Sequence, residues 1–197
     1  MKTELRLAGT GGQGVILASV ILAEAAAVYE GREVVQTQSY GPEARGGASK
    51  ADVIISDRPI LYPKSRKLDV LVCLSQQAVD RYMAELKQGG IAIIDAFHVK
   101  ECPLESAVCL PFTETSRREL GRELFTNIVM LGALSRLTGA TGFDSLKQAL
   151  ARRVPPAFLE TNLTALAKGW ELAAAHVSNR PGTSVVRPKS LDNRQGA

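Results

Sequence analysis

The sequence predicts an α/β fold, a Rossmann-like, mostly parallel sheet with helices on both faces, built as a single domain over residues 1–177. Three observations carry that expectation. Short apolar runs of strand character alternate with longer runs of helical period, the mark of a parallel sheet with crossover helices. A glycine-rich turn, Gly9-Thr10-Gly11-Gly12-Gln13-Gly14, stands between the first strand-like run and the first helical one. In mid-chain a capped strand, helix and strand follow one another with their own start and stop signals.

The first strand is expected at Glu4 to Ala8, followed across the glycine turn by a helix from Gln13 to Tyr29. Within that helix Ala18 to Ala27 carries a single charge, Glu24. A helix so apolar is either buried under its own sheet or shared with another chain, since obligate interfaces resemble domain cores in composition. Strands at Glu33 to Gln38 and Ser49 to Ser56 flank a turn-rich stretch. The fourth strand, Val70 to Leu74, runs into Ser75, whose hydroxyl is placed to cap a helix from Gln76 to Lys87. Gly89-Gly90 reads as the left-handed stop of that helix, and Ile91 to Asp95 resumes the sheet. A short strand at Ala107 to Pro111 precedes helices at Asn127 to Thr138, Phe143 to Arg152 and Ala157 to Ala175, the last two parted by Pro155-Pro156. From Ser178 onward too few apolar side chains remain to offset ordering entropy, so residues 178–197 read as a flexible C-terminal tail.

The 197 residues, 45% of them hydrophobic, suffice for one domain with a full core. No run approaches the roughly 18 apolar residues of a membrane span, and Met1-Lys2-Thr3-Glu4 leads into a patterned strand rather than a signal-peptide core. A cytoplasmic location without membrane contact is expected. Of the net charge of +4, residues 180–197 hold +3, from Arg180, Arg187, Lys189 and Arg194 against Asp192, which leaves +1 for residues 1–179. A near-neutral body with sparse aromatics lacks the basic, stacking surface that nucleic acid requires.

Cys73, Cys102 and Cys109 form no Cys-x-x-Cys pair, and Cys73 and Cys109 fall in apolar runs where buried, reduced thiols are expected. An iron–sulfur cluster normally takes four thiolates, so none is expected on this chain. His98 and His176 stand without a partner acid or second ligand in the sequence, and no metal spacing or nucleophile–base pattern occurs, so no catalytic residue and no metal ligand is assigned.

The glycine turn has the G-x-G-x-x-G form in the right context. Its glycines permit positive φ and let amides at a helix N-terminus approach a phosphate or another chain. A conventional dinucleotide site also needs an acid at the end of the second strand to hold the ribose, and here that strand ends Val35-Gln36-Thr37-Gln38, with Glu33 at its far end. No lysine follows the last glycine, which excludes a P-loop. A second segment, Ser39-Tyr40-Gly41-Pro42-Glu43-Ala44-Arg45-Gly46-Gly47, leaves the second strand at the edge of the sheet that carries the glycine turn. Gly41-Pro42 bends it, Gly46-Gly47 removes bulk, and Glu43 and Arg45 are its charged groups.

The two segments together resemble the gamma subunit of 2-oxoacid:ferredoxin oxidoreductases, and the likeness extends to Ser75-Gln76-Gln77-Ala78 and Asn127-Ile128-Val129-Met130-Leu131-Gly132. It spans roughly Thr3 to Ala173. Ser-Tyr-Gly-Pro-Glu followed by Arg-Gly-Gly is most similar to the 2-oxoglutarate branch, with the pyruvate, branched-chain and indolepyruvate branches as alternatives and a nucleotide-binding or regulatory module as the rival class. The resemblance implies a complex with alpha and beta subunits and a ferredoxin-like delta subunit, using thiamine diphosphate, Mg, iron–sulfur clusters and coenzyme A, with ferredoxin as acceptor. It also implies that this chain carries neither the thiamine cofactor nor the clusters. The residues then expected at a coenzyme A pyrophosphate or a subunit interface are Gly9, Thr10, Gly11, Gly12, Gln13, Gly14, Ser39, Tyr40, Gly41, Glu43, Arg45, Gly46 and Gly47.

Overall fold

The computed structural model describes residues 1–39, 48–65 and 67–179. Its strands are β1 (Lys2–Thr10), β2 (Glu33–Ser39), β3 (Ala48–Ser56), β4 (Leu68–Cys73), β5 (Leu86–Asp95) and β6 (Val108–Leu110). The helices are α1 (Val15–Glu24), α2 (Gln76–Tyr82), α3 (Phe112–Leu120), α4 (Thr126–Thr138), α5 (Phe143–Arg153) and α6 (Pro156–Asn179). They form one α/β unit. The expected tail boundary at residue 178 falls inside α6, and residues 180–197 lie outside the described residues.

The strands pair in the order β2-β3-β1-β4-β5-β6. β1, β4, β5 and β6 run parallel, whereas β3 is antiparallel to both of its neighbours, β1 and β2. The sheet is therefore mixed, with three parallel pairings of five, and β3 stands where a Rossmann unit has its second strand beside the first. The cause is chain length. Residues 40–47 are too few for a parallel crossover, which takes about a dozen residues, so β2 must return as an antiparallel partner.

Three local boundaries also differ from expectation. The helix opening at Gln76 stops at Tyr82 in a 3-10 turn, Met83–Glu85, and Leu86 already pairs with Leu68. Gly89 and Gly90 are therefore not a helix stop but a bulge in β5, where the register slips between the Leu68 and Val70 pairings and Gly89 takes φ +76°. α1 ends at Glu24 and widens into a π turn, Ala25–Tyr29. α3 has no aliphatic stripe to announce it, because the residues it buries are Phe112, Thr113, Thr115 and Ser116.

Each face of the sheet has its own core, with helices on both as expected. Leu5, Leu7, Val53, Ile55 and Val72 point to the side covered by α1 and α4, while Ala8, Leu71, Cys73 and Ile94 point to α2. α4 is the central rod, with every residue buried except Arg136. It crosses α6 backbone to backbone. A Cβ on Gly132 would stand 2.1 Å from the Leu166 carbonyl oxygen, and one on Gly169 would stand 1.7 Å from that of Val129. Burial pushes the Cys73 thiol up to about 12, so it stays a protonated thiol at neutral pH. Cys109, expected inside, is exposed because β6 is an edge strand and turns alternate residues outward.

Candidate functional site

The register puts the glycine turn, the end of β2 and the start of β3 at one edge of the sheet. Thr10 pairs with Ala48 and Gly9 with Ser49, while Ser39 pairs with Lys50, so β2 ends and β3 begins at the level of the glycine turn. Ser39 is exposed at that edge. Tyr40, Gly41, Glu43, Arg45, Gly46 and Gly47 lie outside the described residues. Glu33 pairs with Ser56 at the opposite end, as the sequence implies, and β2 reaches the site with Thr37, Gln38 and Ser39 and no acid.

The turn is built from the inside by one side chain. The Gln13 amide oxygen accepts a hydrogen bond from Thr10 N at 2.7 Å, and its nitrogen donates to the Leu74 carbonyl at 2.8 Å. It thereby joins the C-terminal ends of β1 and β4, the gap in which a doubly wound sheet receives a dinucleotide. The reason for Gly9 follows, since a Cβ there would come 2.4 Å from the Gln13 amide oxygen. Gly14 takes φ +70° to cap α1 without a side-chain hydrogen bond. Its carbonyl accepts from Ala18 N and from the Asn127 side-chain amide, each at 3.1 Å. A Cβ on Gly14 would meet that amide nitrogen at 2.5 Å. Gly11 and Gly12 stay outside and exposed, and no heavy atom stands within 4 Å of a Cβ built on Gly12, which has φ +95°.

Gln13 and Asn127 thus hold the turn, and Asn127 belongs to a distant segment whose contact with the turn the sequence does not reveal. Ser75 caps α2, accepting from Ala78 N at 3.3 Å. Gln76 beside it ties in the segment after β5 by accepting from Lys100 N and Glu101 N at 3.0 and 3.1 Å. What the turn offers outward is backbone, namely Gly11, Gly12 and the first amides of α1. Such a surface presents backbone amide donors free of side-chain bulk.

A charged cluster that sequence reasoning missed lies on the face of the sheet away from α1. Arg6 is 1% exposed, and its guanidinium pairs with both Asp52 oxygens, at 2.6 and 2.9 Å, and with Glu85 at 2.7 Å. Burial works against its charge, but the hydrogen bond and charge of Asp52, followed by those of Glu85, outweigh it and hold the pKa above the ordinary arginine value. Tyr82 stacks beneath it, 4.9 Å from the guanidinium carbon to the ring centre. The cluster floors a cavity of about 320 Å³ with Thr37, Ser39, Lys50 and Lys64 around it. Its signal was an arginine at the centre of β1, between the apolar Leu5 and Leu7. Among the described residues no three His, Cys, Asp or Glu side chains gather as a metal site, and no helix is long and apolar enough to cross a membrane.

Residues 4–172 match the family model described as pyruvate ferredoxin/flavodoxin oxidoreductase. The chain is 50% identical over 177 residues to the 2-oxoglutarate synthase subunit KorC of Methanocaldococcus jannaschii, covering 88% of this chain and 95% of that one. Its structure is similar to the keto/oxoacid ferredoxin oxidoreductase gamma subunit of Geobacter sulfurreducens, with a TM-score of 0.81 at 44% identity over 89% of this chain and 98% of that one. It is also similar to part of the Magnetococcus marinus 2-oxoglutarate:ferredoxin oxidoreductase solved with 2-oxoglutarate, coenzyme A and succinyl-CoA bound. There the TM-score is 0.79 at 27% identity, over 88% of this chain and 31% of that one.

Proposed function

The chain belongs to the pyruvate ferredoxin/flavodoxin oxidoreductase family, and we propose that it is the gamma subunit of a member acting on 2-oxoglutarate, placed on the coenzyme A side of the complex. The complex carries out oxidative decarboxylation: 2-oxoglutarate and coenzyme A give succinyl-CoA, carbon dioxide and a proton, and two electrons leave singly to ferredoxin. Thiamine diphosphate with Mg and iron–sulfur clusters supply the decarboxylation and electron transfer when bound. The clusters do not fit this chain's thiols, with Cys73 buried in β4 and Cys109 on the surface of β6, and by the family resemblance the thiamine cofactor lies off this chain too. They belong to the alpha, beta and ferredoxin-like partners.

The observation that carries the reading is the Gln13 bridge. With the crevice between β1 and β4 occupied by the protein's own amide, the glycine turn presents only its outer surface, which suits docking against a subunit and a passing pyrophosphate. A pyrophosphate at Gly11 and Gly12 would meet amides free of side-chain bulk, and Arg45 supplies the charge for a phosphate or a partner carboxylate. The M. marinus match supports the placement. There the corresponding unit is 31% of a longer chain, whereas in G. sulfurreducens it is 98% of its own. Contacts made within one chain in the first case must be made between subunits in the second.

The test is to purify the complex through this chain and assay it with 2-oxoglutarate, pyruvate and branched 2-oxoacids, coenzyme A and ferredoxin, beside an Arg45→Ala variant. 2-Oxoglutarate should be preferred and the chain alone inactive. Arg45→Ala should raise the KM for coenzyme A or reduce recovery of the complex. Saturable binding of nicotinamide nucleotide by the chain alone would refute the reading.

A further inference from the structure

α1 has a side that its own fold does not cover. Leu17, Val20, Ala23 and Ala27 follow one another at three- and four-residue steps down the helix and its π turn, with Val28 next to the last of them, and Leu17 is 39% and Val28 58% exposed. Beside this stripe runs β2, the outermost strand, paired only with β3 among the described residues. Soluble proteins blunt such edges with lysine, proline, bulges or short strands. β2 has none of these: Glu33–Ser39 is seven residues long, with Glu33 its one charge and no proline. Strand edge and stripe meet in a shallow groove of about 380 Å³, lined by Val20, Ala23, Ala27, Val28, Val34 and Gln36. One end is closed by Arg152 and Arg153, both paired to the buried carboxylate of Glu24.

We propose that an extended segment of the subunit that completes the oxidoreductase docks here, adding as a further strand along β2 and setting alternate apolar side chains into the groove. This rests on the reading of the chain as one subunit of a larger enzyme. Strand addition satisfies the outer amides and carbonyls of β2 and leaves every second side chain facing the α1 stripe. The charge at the groove's end specifies the segment further. Two guanidiniums stand against one carboxylate, and Arg152 and Arg153 are 65% and 47% exposed at the side chain, so the segment carries an acidic residue at that end. The M. marinus chain supplies the kind of partner, because a unit of this fold is there attached to the remainder of a longer oxidoreductase chain.

Hydrogen exchange on the full chain, free and in the purified complex, tests the proposal. In the complex the amides of residues 34–39 should exchange at least roughly tenfold more slowly, with β4 as the internal reference. An Ala27→Glu/Val28→Glu variant, changed only at exposed positions, should melt like the wild type when free and be recovered in the complex at least about tenfold less. Unchanged β2 exchange in an assembled complex, or normal assembly of the variant, overturns the proposal alone. So does β2 protection already present in the free chain that vanishes on dilution or on truncation after Asn179, which assigns the groove to a second copy or to residues 180–197. A wild-type chain that joins no oxidoreductase subunits overturns the subunit reading as well.

Discussion

Gln13 shows how one side chain decides what a glycine turn can be used for. Its two amide atoms satisfy one backbone donor on β1 and one backbone acceptor, at Leu74, just past the end of β4, so shortening it to alanine orphans both at a partly buried position. Leaving such groups unmade costs about 1–3 kcal/mol. Gln13→Ala should therefore lower the unfolding free energy by that much in urea titrations, with the midpoint falling accordingly. Gln13→Glu should lower it at least as far, since the carboxylate keeps the acceptor for Thr10 N but sets a negative charge against the Leu74 carbonyl. An unchanged midpoint in both variants would mean that the bridge is ornamental. The glycines themselves were legible in the sequence, as was the missing ribose acid. The bridge was not, because its far end lies 61 residues away, and neither was the grip of Asn127 on Gly14 across 113 residues. Local pattern carries the turn, and only tertiary contact carries what fills it.

Elements were legible where their apolar period was strong and obscure where packing used something else. α3 buries hydroxyls, and β5 begins before its glycines, so both escaped a reading based on aliphatic period and glycine stops. The α4–α6 crossing is the sharpest test at this scale. Gly132 and Gly169 approach backbone atoms of the opposite helix so closely that a methyl group at either one must push the helices apart. Overpacking of that kind costs about 3 kcal/mol at its upper end, while alanine in place of glycine returns about 1 kcal/mol of helix propensity. Gly132→Ala and Gly169→Ala should each destabilise by about 2 kcal/mol in denaturant titrations. Combined, they should cost less than the sum, because the first has already opened the gap that the second needs. Full additivity would show that the two glycines relieve separate contacts.

At the scale of the whole molecule, a doubly wound sheet was legible from its alternating elements, but the position of β3 was not, because apolar pattern does not tell a hairpin from a crossover. The eight-residue spacing did contain that answer. The insertion makes the two ends of the molecule unequal. β4 lies between the α2 face and the large helical core, and α4 is buried at every residue but Arg136, whereas β2 has half-buried and exposed residues throughout. Local stability follows buried contact, so the free chain should open in two steps. In native-state hydrogen exchange, the amides of β4 and α4 should be released only by global unfolding. Those of β2, and of β3 where it faces β2, should open at a lower free energy with a smaller denaturant dependence. Gly169→Ala supplies the control. It should lower protection in β4 and α4 by its full equilibrium cost and leave β2 unmoved, since β2 does not need the whole fold to open. If all four elements lose protection together, the sheet is a single cooperative unit. If they separate, the β2 edge is the adaptable part of a rigid subunit, and the partner that covers it sets its order.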